Sequence, residues 1–494
     1  MSQVSSELPA ALYRAADVRA LDDKAIKGCG IAGGTLMERA GAAAYEVLSR
    51  TWPVARRVLV LCGTGNNGGD GFVIARLAHA AGLEVSLRIL GDVAQLRGDA
   101  ADKLQALAHA GLAPVDWRLA DLADFDVIVD ALLGTGLDRE LSGDHLAAVD
   151  AINNGGMPVL SVDIPSGLNA DTGQAMGVAV RAAATVTFVG MKQGLLTGAA
   201  AAHCGRLYFS SLAIPASVYA DIPVAAYRDG RTELSHWLPP RQRDAHKGHF
   251  GHVLVIGGEQ GYIGAARMAA EASARVGAGL VSVATRPEHA AMLNLVRPEL
   301  MCHGAGSAAE LLRLFKRASV VAIGPGLGQS DWAAELLAAA LDTRLPLVAD
   351  ADALNLLAQE SVRRENWVLT PHPGEAARLL GWTTQAVQSD RFAAVRALQS
   401  RYGGVCVLKG AGTLVADAAA IHICTAGNPG MASGGMGDVL TGVIAGLLAQ
   451  GLKLDEAARL GVCIHAEAAD HAAMQGERGL LASDLMPWLR RLVN

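Results

Sequence analysis

The sequence has few aromatic side chains, no paired cysteine motif and little excess charge of either sign. Phenylalanine, tryptophan and tyrosine make up 4% of its 494 residues, so we expect close, alanine- and glycine-rich helix–sheet packing instead of an aromatic core. The 7 cysteines are odd in number, scattered and never spaced C-x-x-C. This usage indicates buried free thiols instead of disulfides or zinc ligands.

Leader, membrane and nucleic-acid signals are also missing. No basic region followed by an apolar run opens the sequence, so no secretory signal is visible, and no uninterrupted apolar stretch reaches membrane-spanning length. The net charge of -6 argues against a nucleic-acid or anionic-membrane partner. We therefore expect a cytoplasmic protein with small-molecule partners. Its apolar, alanine-rich helices also favour a homo-oligomer.

Short β-rich apolar runs alternate with alanine-rich helical stretches along the whole chain. This alternation is typical of α/β folds with parallel sheets, and we predict doubly wound domains. The predicted strands of the first half are residues 57–62, 84–90, 125–133, 158–164, 184–190 and 205–212. Those of the second half are residues 251–258, 279–285, 319–324, 345–351, 366–371 and 404–410.

A segment with several prolines, mixed charge and little alternation separates the two halves. We predict a first domain over residues 1–215, a connector over residues 216–240 and a second domain over residues 241–494. Each half is long enough to bury its own core. The halves are not internal repeats, because their glycine motifs differ.

Glycine turns meet amide and carboxylate side chains at three strand ends of the first half. GTGNNGGDG, residues 63–71, lies between a strand and a helix, and Asp130, Asp163 and Ser166 lie at the ends of two later strands. The carboxyl ends of parallel strands bind ligands in doubly wound folds, and a helix N-terminus attracts phosphate. The alternative is a purely structural turn, with aspartates that cap it.

Three of these side chains suit a hard cation. Asn67, Asp130 and Ser166 offer oxygen ligands without a histidine or thiolate. Such a set favours a group I or group II cation over zinc.

Four motifs of the first half, TGNNGGDGFVIAR, DALLGTGL, DIPSGLNADTG and FVGMKQGL, together resemble the NAD(P)H-hydrate epimerase domain over about residues 10–215. That domain interconverts the R and S forms of the hydrated nicotinamide cofactor. The resemblance implies a potassium ion held by Asn67, Asp130 and Ser166. It implies contacts to the hydrated dinucleotide at Asn66, Asn67, Gly68, Gly69, Asp70, Gly134, Thr135, Gly136, Leu137, Asp138, Arg139, Glu140 and Asp163.

Epimerisation of the hydrated carbon requires the loss and return of hydroxide or a proton on either face. A carboxylate near the ring assists such a step by acid–base catalysis. We predict that Asp163 is this group and that Lys192, in VGMKQG, assists it electrostatically. A lysine exposed on the surface is the alternative for Lys192.

The strongest chemical signal of the second half is GNPGMASGGMGDVLTGVIAGLLAQGL, residues 427–452. Gly434, Gly435 and Gly437 lead through Asp438 into an apolar helix whose N-terminus is open to an anion. A base beside N–H donors that stabilise developing charge is the arrangement that phosphoryl transfer requires. A helix-capping aspartate after a flexible loop is the alternative.

This glycine motif resembles the anion hole and catalytic aspartate of ribokinase-like kinases. AIGPGLGQ, VADADALNLL, LTPHPGEAARL and VLKGAGT narrow the resemblance to the ADP/ATP-dependent NAD(P)H-hydrate dehydratase, over nearly all of residues 225–494. Both domains in this order resemble the bifunctional NAD(P)H-hydrate repair enzymes. The implied fold is an N-terminal Rossmann-like sheet followed by a C-terminal ribokinase-like sheet.

The dehydratase resemblance implies that ADP or ATP, with Mg²⁺, phosphorylates the hydroxyl of the S-hydrate, which then leaves as phosphate. Asp438 would take the hydroxyl proton, and Glu375 would help position Mg²⁺ or water. The implied hydrate contacts are Ala265, Gly326, His372 and Asp438. The implied nucleotide contacts are Lys409, Gly410, Ala411, Gly412, Thr413, Asn428, Gly434, Gly435, Met436 and Gly437.

Other interpretations of the same residues exist. The second half also fits a ribokinase-superfamily vitamin or sugar kinase, and the first half a non-catalytic Rossmann-like binding module. LTPHPGE and the intact polar set of the first half argue against both.

His372 between two prolines also fits a rigid surface position. The histidines of HKGHFGH, His246, His249 and His252, match no common zinc spacing.

Overall fold

The computed structural model of the chain describes residues 4–115 and 122–494, which divide into two compact units. The first unit is Met1–Tyr227 and the second is Arg228–Asn494. The division falls inside the segment 216–240, which lacks strand and helix periodicity in the sequence. Within the described ranges, no helix has both the length and the apolar character needed to cross a lipid bilayer.

The first unit is an α/β structure. Its strands are Ala11–Tyr13 (β1), Arg57–Cys62 (β2), Glu84–Ile89 (β3), Val127–Ala131 (β4), Val159–Val162 (β5), Ala184–Phe188 (β6), Met191–Lys192 (β7) and Arg206–Ser210 (β8), with Ala226–Asp229 (β9) at its end. Its helices are Ala15–Asp23 (α1), Gly33–Thr51 (α2), Asn66–Ala80 (α3), Gly98–His109 (α4), Gly143–Asn154 (α5) and Ala200–His203 (α6).

Six strands of the first unit form a parallel sheet in the order β3-β2-β4-β5-β6-β8. Its central strands are apolar on both faces because both faces are buried, as the unbroken burial of β4, β5 and β6 shows. The strands predicted in the first half are confirmed with small shifts of their ends. β1, β7 and β9 were not predicted, since each is too short for a visible alternation.

The second unit is also an α/β structure. Its strands are His252–Ile256 (β10), Leu280–Thr285 (β11), Met301–Gly304 (β12), Val320–Ile323 (β13), Leu347–Ala349 (β14), Trp367–Leu369 (β15), Val405–Leu408 (β16), Thr413–Ala416 (β17) and Ile421–Cys424 (β18). Its helices are Arg231–Leu234 (α7), Ile263–Arg275 (α8), Ala290–Val296 (α9), Ala308–Phe315 (α10), Asp331–Leu341 (α11), Ala351–Leu357 (α12), Pro373–Leu380 (α13), Thr384–Ser389 (α14), Arg391–Tyr402 (α15), Met436–Ala449 (α16), Leu454–Ala473 (α17) and Met486–Leu492 (α18).

The strands of the second unit follow the order β12-β11-β10-β13-β14-β15-β16-β17-β18. They run parallel from β12 to β16, whereas β17 and β18 are antiparallel to their neighbours. The predicted strands of the second half are all present. The sequence did not predict β12, β17 and β18, of which the last two form a hairpin that extends the parallel sheet.

Helix α16 lies in the core of the second unit and packs backbone to backbone on α8. A Cβ atom added to Gly442 would lie 2.0 Å from the carbonyl oxygen of Ala269, so only glycine fits there. The Ser273 hydroxyl donates to the carbonyl oxygen of Gly442 at 2.8 Å and links the two helices. This packing fixes the N-terminus of α16 and therefore the position of Asp438 in its first turn.

We expect Gly442→Ala to destabilise the second unit by about 1–3 kcal/mol, because the added methyl group forces α8 and α16 apart. The control is Gly264→Ala on α8, where an added Cβ meets no atom within 4 Å. Urea unfolding of both variants provides the measurement. Equal midpoints for the two variants would show that the close approach of the helices is unimportant.

Candidate active sites

A cavity of about 590 Å³ opens where strands β2, β4, β5 and β6 end. The loops after these strands form its walls, as expected for a doubly wound sheet. The predicted residues that border it are Asn66, Asn67, Asp70, Gly134, Thr135, Gly136, Leu137, Asp138, Arg139, Asp163 and Lys192. Gly68, Gly69 and Glu140 do not border it, and Asp130 and Ser166 are fully buried.

The stretch GTGNNGGDG is not a loop over its whole length, because helix α3 already begins at Asn66. Four of its five glycines face protein atoms, including the two predicted to contact the dinucleotide, Gly68 and Gly69. A Cβ added to Gly68 would lie 2.0 Å from the carbonyl oxygen of Gly63, and one added to Gly69 would lie 2.5 Å from Sδ of Met37. Close packing therefore accounts for these two glycines, and their contact with a ligand stays a prediction.

The three predicted cation ligands are all buried, and two of them, Asp130 and Ser166, are hydrogen-bonded to each other. Asp130 accepts hydrogen bonds from the Ser166 hydroxyl at 2.6 Å, the Ser166 backbone N–H at 2.9 Å and the Ser161 hydroxyl at 2.8 Å. Burial raises the pKa of Asp130, although the bonds from Ser166 oppose the shift. Both polar atoms of the Asn67 amide are buried without a hydrogen-bond partner. Such an orphaned amide is costly unless a ligand completes it.

Asp163 and Lys192 form an ion pair at the cavity wall. The Lys192 ammonium donates to Asp163 Oδ1, to the Thr187 hydroxyl at 2.9 Å and to the Phe188 carbonyl oxygen at 3.0 Å. Lys192 is 1% exposed, so the surface alternative for it is wrong. Asp163 adopts a left-handed φ of 66°, a strained conformation that clusters at functional sites. The structure therefore brings the two predicted catalytic residues together.

Four further aspartates border the same cavity, and sequence reasoning missed two of them: the four are Asp22, Asp70, Asp99 and Asp138, of which Asp22 and Asp99 were not predicted. Burial raises the pKa of Asp22 to about 6, with Asp163 adding to the shift and Lys192 opposing it. Burial also raises the pKa of Asp70 well above its usual range, with contributions from Asp163 and Asp22. Asp22 gave no motif signal, because α1 carries neither a glycine turn nor a strand end.

The second unit places its polar residues where β14, β15 and β16 end, around the N-terminus of α16. Asp438 lies in the first turn of α16, after Gly435, whose φ is 92°. Burial raises the pKa of Asp438 to about 7, Asp350 adds to this shift and Lys409 opposes it. A carboxyl with a pKa near neutrality beside a helix N-terminus suits a general base for a substrate hydroxyl.

Lys409 is the cation of this site. Its ammonium lies 2.7 Å from Asp350 Oδ1 and 3.8 Å from Glu375 Oε2. Burial opposes the charge on Lys409, but Asp350 and Glu375 raise its pKa above the usual value. The Thr441 hydroxyl, from α16, donates to Asp350 Oδ2 at 2.7 Å. Asp350 was not among the predicted site residues; it lies within the predicted strand 345–351 and directly follows the observed strand β14.

His372 and Glu375 cap helix α13 together. The backbone N–H of Gly374 donates to His372 Nδ1 at 2.9 Å, and the backbone N–H of His372 donates to Glu375 Oε2 at 2.8 Å. Burial raises the pKa of Glu375 and lowers that of His372. His372 keeps a half-exposed side chain. It is thus held rigidly beside Lys409, and its contact with the hydrate stays a prediction.

The loop after β16 is shaped by Arg391, another residue that the sequence did not single out. Its buried guanidinium donates to the carbonyl oxygens of Leu408 at 3.2 Å, Lys409 at 3.3 Å and Gly412 at 3.5 Å. The Thr413 hydroxyl donates to the carbonyl oxygen of Gly410 at 2.9 Å. The buried Arg391 guanidinium therefore holds the backbone of the predicted nucleotide loop, residues 409–413.

Four more of the predicted residues lie elsewhere in the second unit, Asn428, Gly434 and Gly326 in loops and turns, and Ala265 in helix α8. Asn428 donates to Asp470 at 2.9 Å and so shapes its own loop. A Cβ added to Gly434 would meet no atom within 4 Å, which leaves open space at the predicted anion hole. Gly326 and Ala265 are neighbours, since a Cβ added to Gly326 would lie 3.1 Å from that of Ala265.

The histidines of HKGHFGH are engaged separately. The rings of His246 and His249 stack with centroids 3.7 Å apart, whereas His252 contacts the Ser282 hydroxyl at 2.9 Å and the Arg317 carbonyl oxygen at 3.1 Å. Among the residues that the structure describes, no group of His, Cys, Asp and Glu has an arrangement suited to a metal ion. These histidines are therefore explained by local contacts.

Comparisons with known proteins cover both units. Two family models match: YjeF-related protein N-terminus over residues 33–194, and NAD(P)H-hydrate dehydratase over residues 253–491. The bifunctional NAD(P)H-hydrate repair enzyme of Coxiella burnetii is 52% identical over 493 residues, which cover 98% of this chain and 99% of that protein.

Solved structures match the second half. A ribokinase-like superfamily protein from Enterococcus faecalis has a TM-score of 0.50 and 32% identity, covering 54% of this chain and 94% of its own. The ADP/ATP-dependent NAD(P)H-hydrate dehydratase from Bacillus subtilis, co-crystallised with ATP and Mg²⁺, has a TM-score of 0.50 and 29% identity, covering 53% and 95%. The predicted ribokinase-like fold of the second half is thereby confirmed.

The ion pair of the first unit yields a stability prediction. Asp163→Asn leaves the buried Lys192 ammonium without its anion. We expect the free energy of unfolding to fall by about 3 kcal/mol. Lys192→Met removes the buried charge and leaves a carboxylate that borders the cavity, so we expect a loss nearer about 1 kcal/mol. Denaturant unfolding of both variants checks the order. A larger loss for Lys192→Met would contradict this account of the pair.

Proposed function

The chain belongs to the family of bifunctional NAD(P)H-hydrate repair enzymes, and we propose that the two sites described above perform its two reactions, one in each unit. It interconverts the R and S hydrates of NADH and NADPH, and it dehydrates the S-hydrate with ADP or ATP. The alternative of a vitamin or sugar kinase with a non-catalytic binding module loses its support. The predicted function is confirmed.

We assign epimerisation to residues 1–215 and dehydration to residues 241–494, joined by the connector 216–240. The observation that carries the first assignment is the cavity bordered by the Asp163–Lys192 pair. A hydrate whose ring enters this cavity meets a carboxylate for acid–base work and a buried ammonium that holds this carboxylate in place. The residues after β2 and β4 would bind the dinucleotide. A cytoplasmic location and a homo-oligomer stay predictions from the sequence.

A potassium ion fits the polar group beneath this cavity. The orphaned Asn67 amide, the buried Asp130 carboxylate and the Ser166 hydroxyl supply only hard oxygen ligands. A monovalent cation bound there would offset the buried charge of Asp130 and bind the unpartnered oxygen of the Asn67 amide. These residues would then anchor the start of α3, beside which the hydrate binds.

We expect potassium to raise the melting temperature of the chain relative to sodium at equal ionic strength, because the ion binds only the folded first unit. Asn67→Leu should remove this difference, since it deletes one ligand while filling the space. Thermal unfolding in the two salts provides the measurement. A potassium effect that survives in Asn67→Leu would contradict the proposed ligand set.

Dehydration requires a better leaving group than hydroxide, and phosphorylation supplies one. In the proposed step, Asp438 accepts the proton of the hydrate's hydroxyl group. The phosphoryl group of ADP or ATP transfers to the oxygen of that hydroxyl group. The backbone N–H groups of residues 434–437 stabilise the transferred charge, and Lys409 and the loop 409–413 hold the nucleotide. Mg²⁺ would neutralise phosphate charge, with Glu375 nearby. Expulsion of phosphate, together with loss of a proton from the adjacent ring carbon, then forms the C=C bond that restores the cofactor.

The position and pKa of Asp438 carry this assignment and give its test. We expect kcat/KM for ADP-dependent dehydration to rise with pH through about 7, as Asp438 loses its proton. Asp438→Ala should lower dehydration by a factor on the order of 100 or more, because the base is lost. Epimerisation should be unchanged, since it takes place in the other unit.

Asp342→Ala, at an exposed position that follows α11, is the matched control and should keep both activities. NADPH absorbance reports dehydration, and chiral chromatography of the hydrate reports epimerisation. Dehydration that persists in Asp438→Ala, or the loss of both activities in a folded variant, would contradict the proposal.

A further inference from the structure

Helix α1 forms one wall of the first unit's cavity. Val18, Arg19 and Asp22 border this cavity and are spaced by three and four residues, so they lie on one face of the helix. Asp163 and Lys192 border the same cavity. The structure therefore brings a carboxyl group from the start of the chain to the proposed epimerase site.

The strand before α1 anchors it beside Lys192. β1 pairs in parallel with β7, and Tyr13 is the register partner of Lys192. α1 begins two residues later at Ala15, whose backbone N–H donates to Asp171 Oδ1 at 2.7 Å. The position of α1 along the sheet edge is thus fixed relative to Lys192.

Close packing also holds α1 in place. A Cβ added to Gly190 would lie 3.0 Å from Cγ2 of Val18 and 3.2 Å from Cδ1 of Leu21. Gly190 lies between β6 and β7, two residues before Lys192. Since the helix rests directly on this backbone, Asp22 has a defined place in the cavity wall.

The carboxyl groups of this cavity share one lysine unequally. The Lys192 ammonium donates to Asp163, whereas Asp22 has no such direct bond and a pKa raised by burial to about 6. Asp70 has a pKa raised further, also by burial. The other charged and titratable groups around Asp22 are Arg19 and Asp23 on its own helix, Asp99, Asp138, Arg139 and His145 on the cavity wall, and Tyr219. Paired carboxyls with unlike environments are typical of acid–base sites.

The chemistry of the hydrate calls for two such groups. Its hydroxyl-bearing carbon adjoins the ring nitrogen, whose lone pair expels the hydroxyl as water once an acid has protonated it. Water must then return to the other face, and a base must take its extra proton. One carboxyl that holds a proton and one that is ionised meet both needs.

We infer that Asp22 is a second catalytic residue of the epimerase site, which protonates the departing hydroxyl while Asp163 accepts the proton of the returning water. This inference rests on the proposed function of the first unit. It assigns the acid to a helix that precedes every motif of the domain.

The step balances as follows in atoms and electrons. The Asp22 proton moves to the hydroxyl oxygen, the C–O bond breaks and water leaves, while the nitrogen lone pair forms a C=N bond. Water then adds to the opposite face, the C=N electrons return to nitrogen, and a proton passes from the water oxygen to Asp163. In the reverse reaction the two carboxyls exchange roles. Proton exchange with solvent resets the pair, and no oxidant or reductant is required.

Asp22→Asn tests the inference in the full-length chain, with pure hydrate and no nucleotide. We expect kcat for epimerisation to fall by a factor on the order of 100, with KM near that of the unchanged chain. In the unchanged chain kcat/KM should fall as pH rises above about 6, because Asp22 loses its proton. This fall of kcat/KM with pH should be absent from the residual activity of Asp22→Asn and partly restored in Asp22→Glu.

Asp23→Asn, an exposed neighbour paired with Lys27, is the matched control and should keep the activity and the fall of kcat/KM at high pH. That fall should move slightly to lower pH, because the charge of Asp23 helps to raise the pKa of Asp22. Binding of R-hydrate, which the dehydratase does not consume, shows that the first unit of each variant is folded. If Asp22→Asn keeps the turnover and the fall of kcat/KM above about pH 6, the inference is overturned. It is also overturned if this fall is lost in Asp70→Asn but kept in Asp22→Asn. An unchanged chain without epimerase activity would instead contradict the proposed function.

Discussion

Each unit shares one lysine among several carboxyl groups, and the chemistry of both sites depends on this imbalance. Lys192 and Lys409 each pair closely with one aspartate at the end of a parallel strand. A single ammonium does not neutralise the remaining carboxyls, which are largely withdrawn from water. Burial raises the pKa of one of these carboxyls in each site toward neutrality, Asp22 to about 6 and Asp438 to about 7, and the nearby lysine offsets only part of the shift. Such groups exchange protons readily at physiological pH.

The parallel sheets were predictable from the sequence because their strands are buried on both faces and appear as unbroken apolar runs. Strands such as β1 and β7 escaped prediction, since two or three residues show no period. The hairpin β17–β18 also escaped, because antiparallel pairing at the end of a parallel sheet leaves no distinct pattern. The start of α3 inside GTGNNGGDG was obscured by glycines, which lower helix propensity.

The sites were predictable where a motif marks a strand end or a helix start, as at Asp163 and Asp438. Residues that reach a site from elsewhere in the chain were not. Asp22 comes from a helix without a motif. Arg391 donates to backbone carbonyl oxygens of the loop after β16, and the sequence around Arg391 gives no sign of these contacts. Glycine was an ambiguous signal, because Gly68 and its neighbour serve packing, whereas the space beside Gly434 is open.

Infrared titration of the full-length chain with ¹³C-labelled aspartate tests the central claim most directly, because it follows the protonation of the carboxyl groups themselves. The account predicts two carboxyls that titrate near pH 6 and pH 7, the first absent from Asp22→Asn and the second from Asp438→Asn. If both variants instead remove only groups that titrate near pH 4, the usual range for aspartate, the shared-lysine account is contradicted.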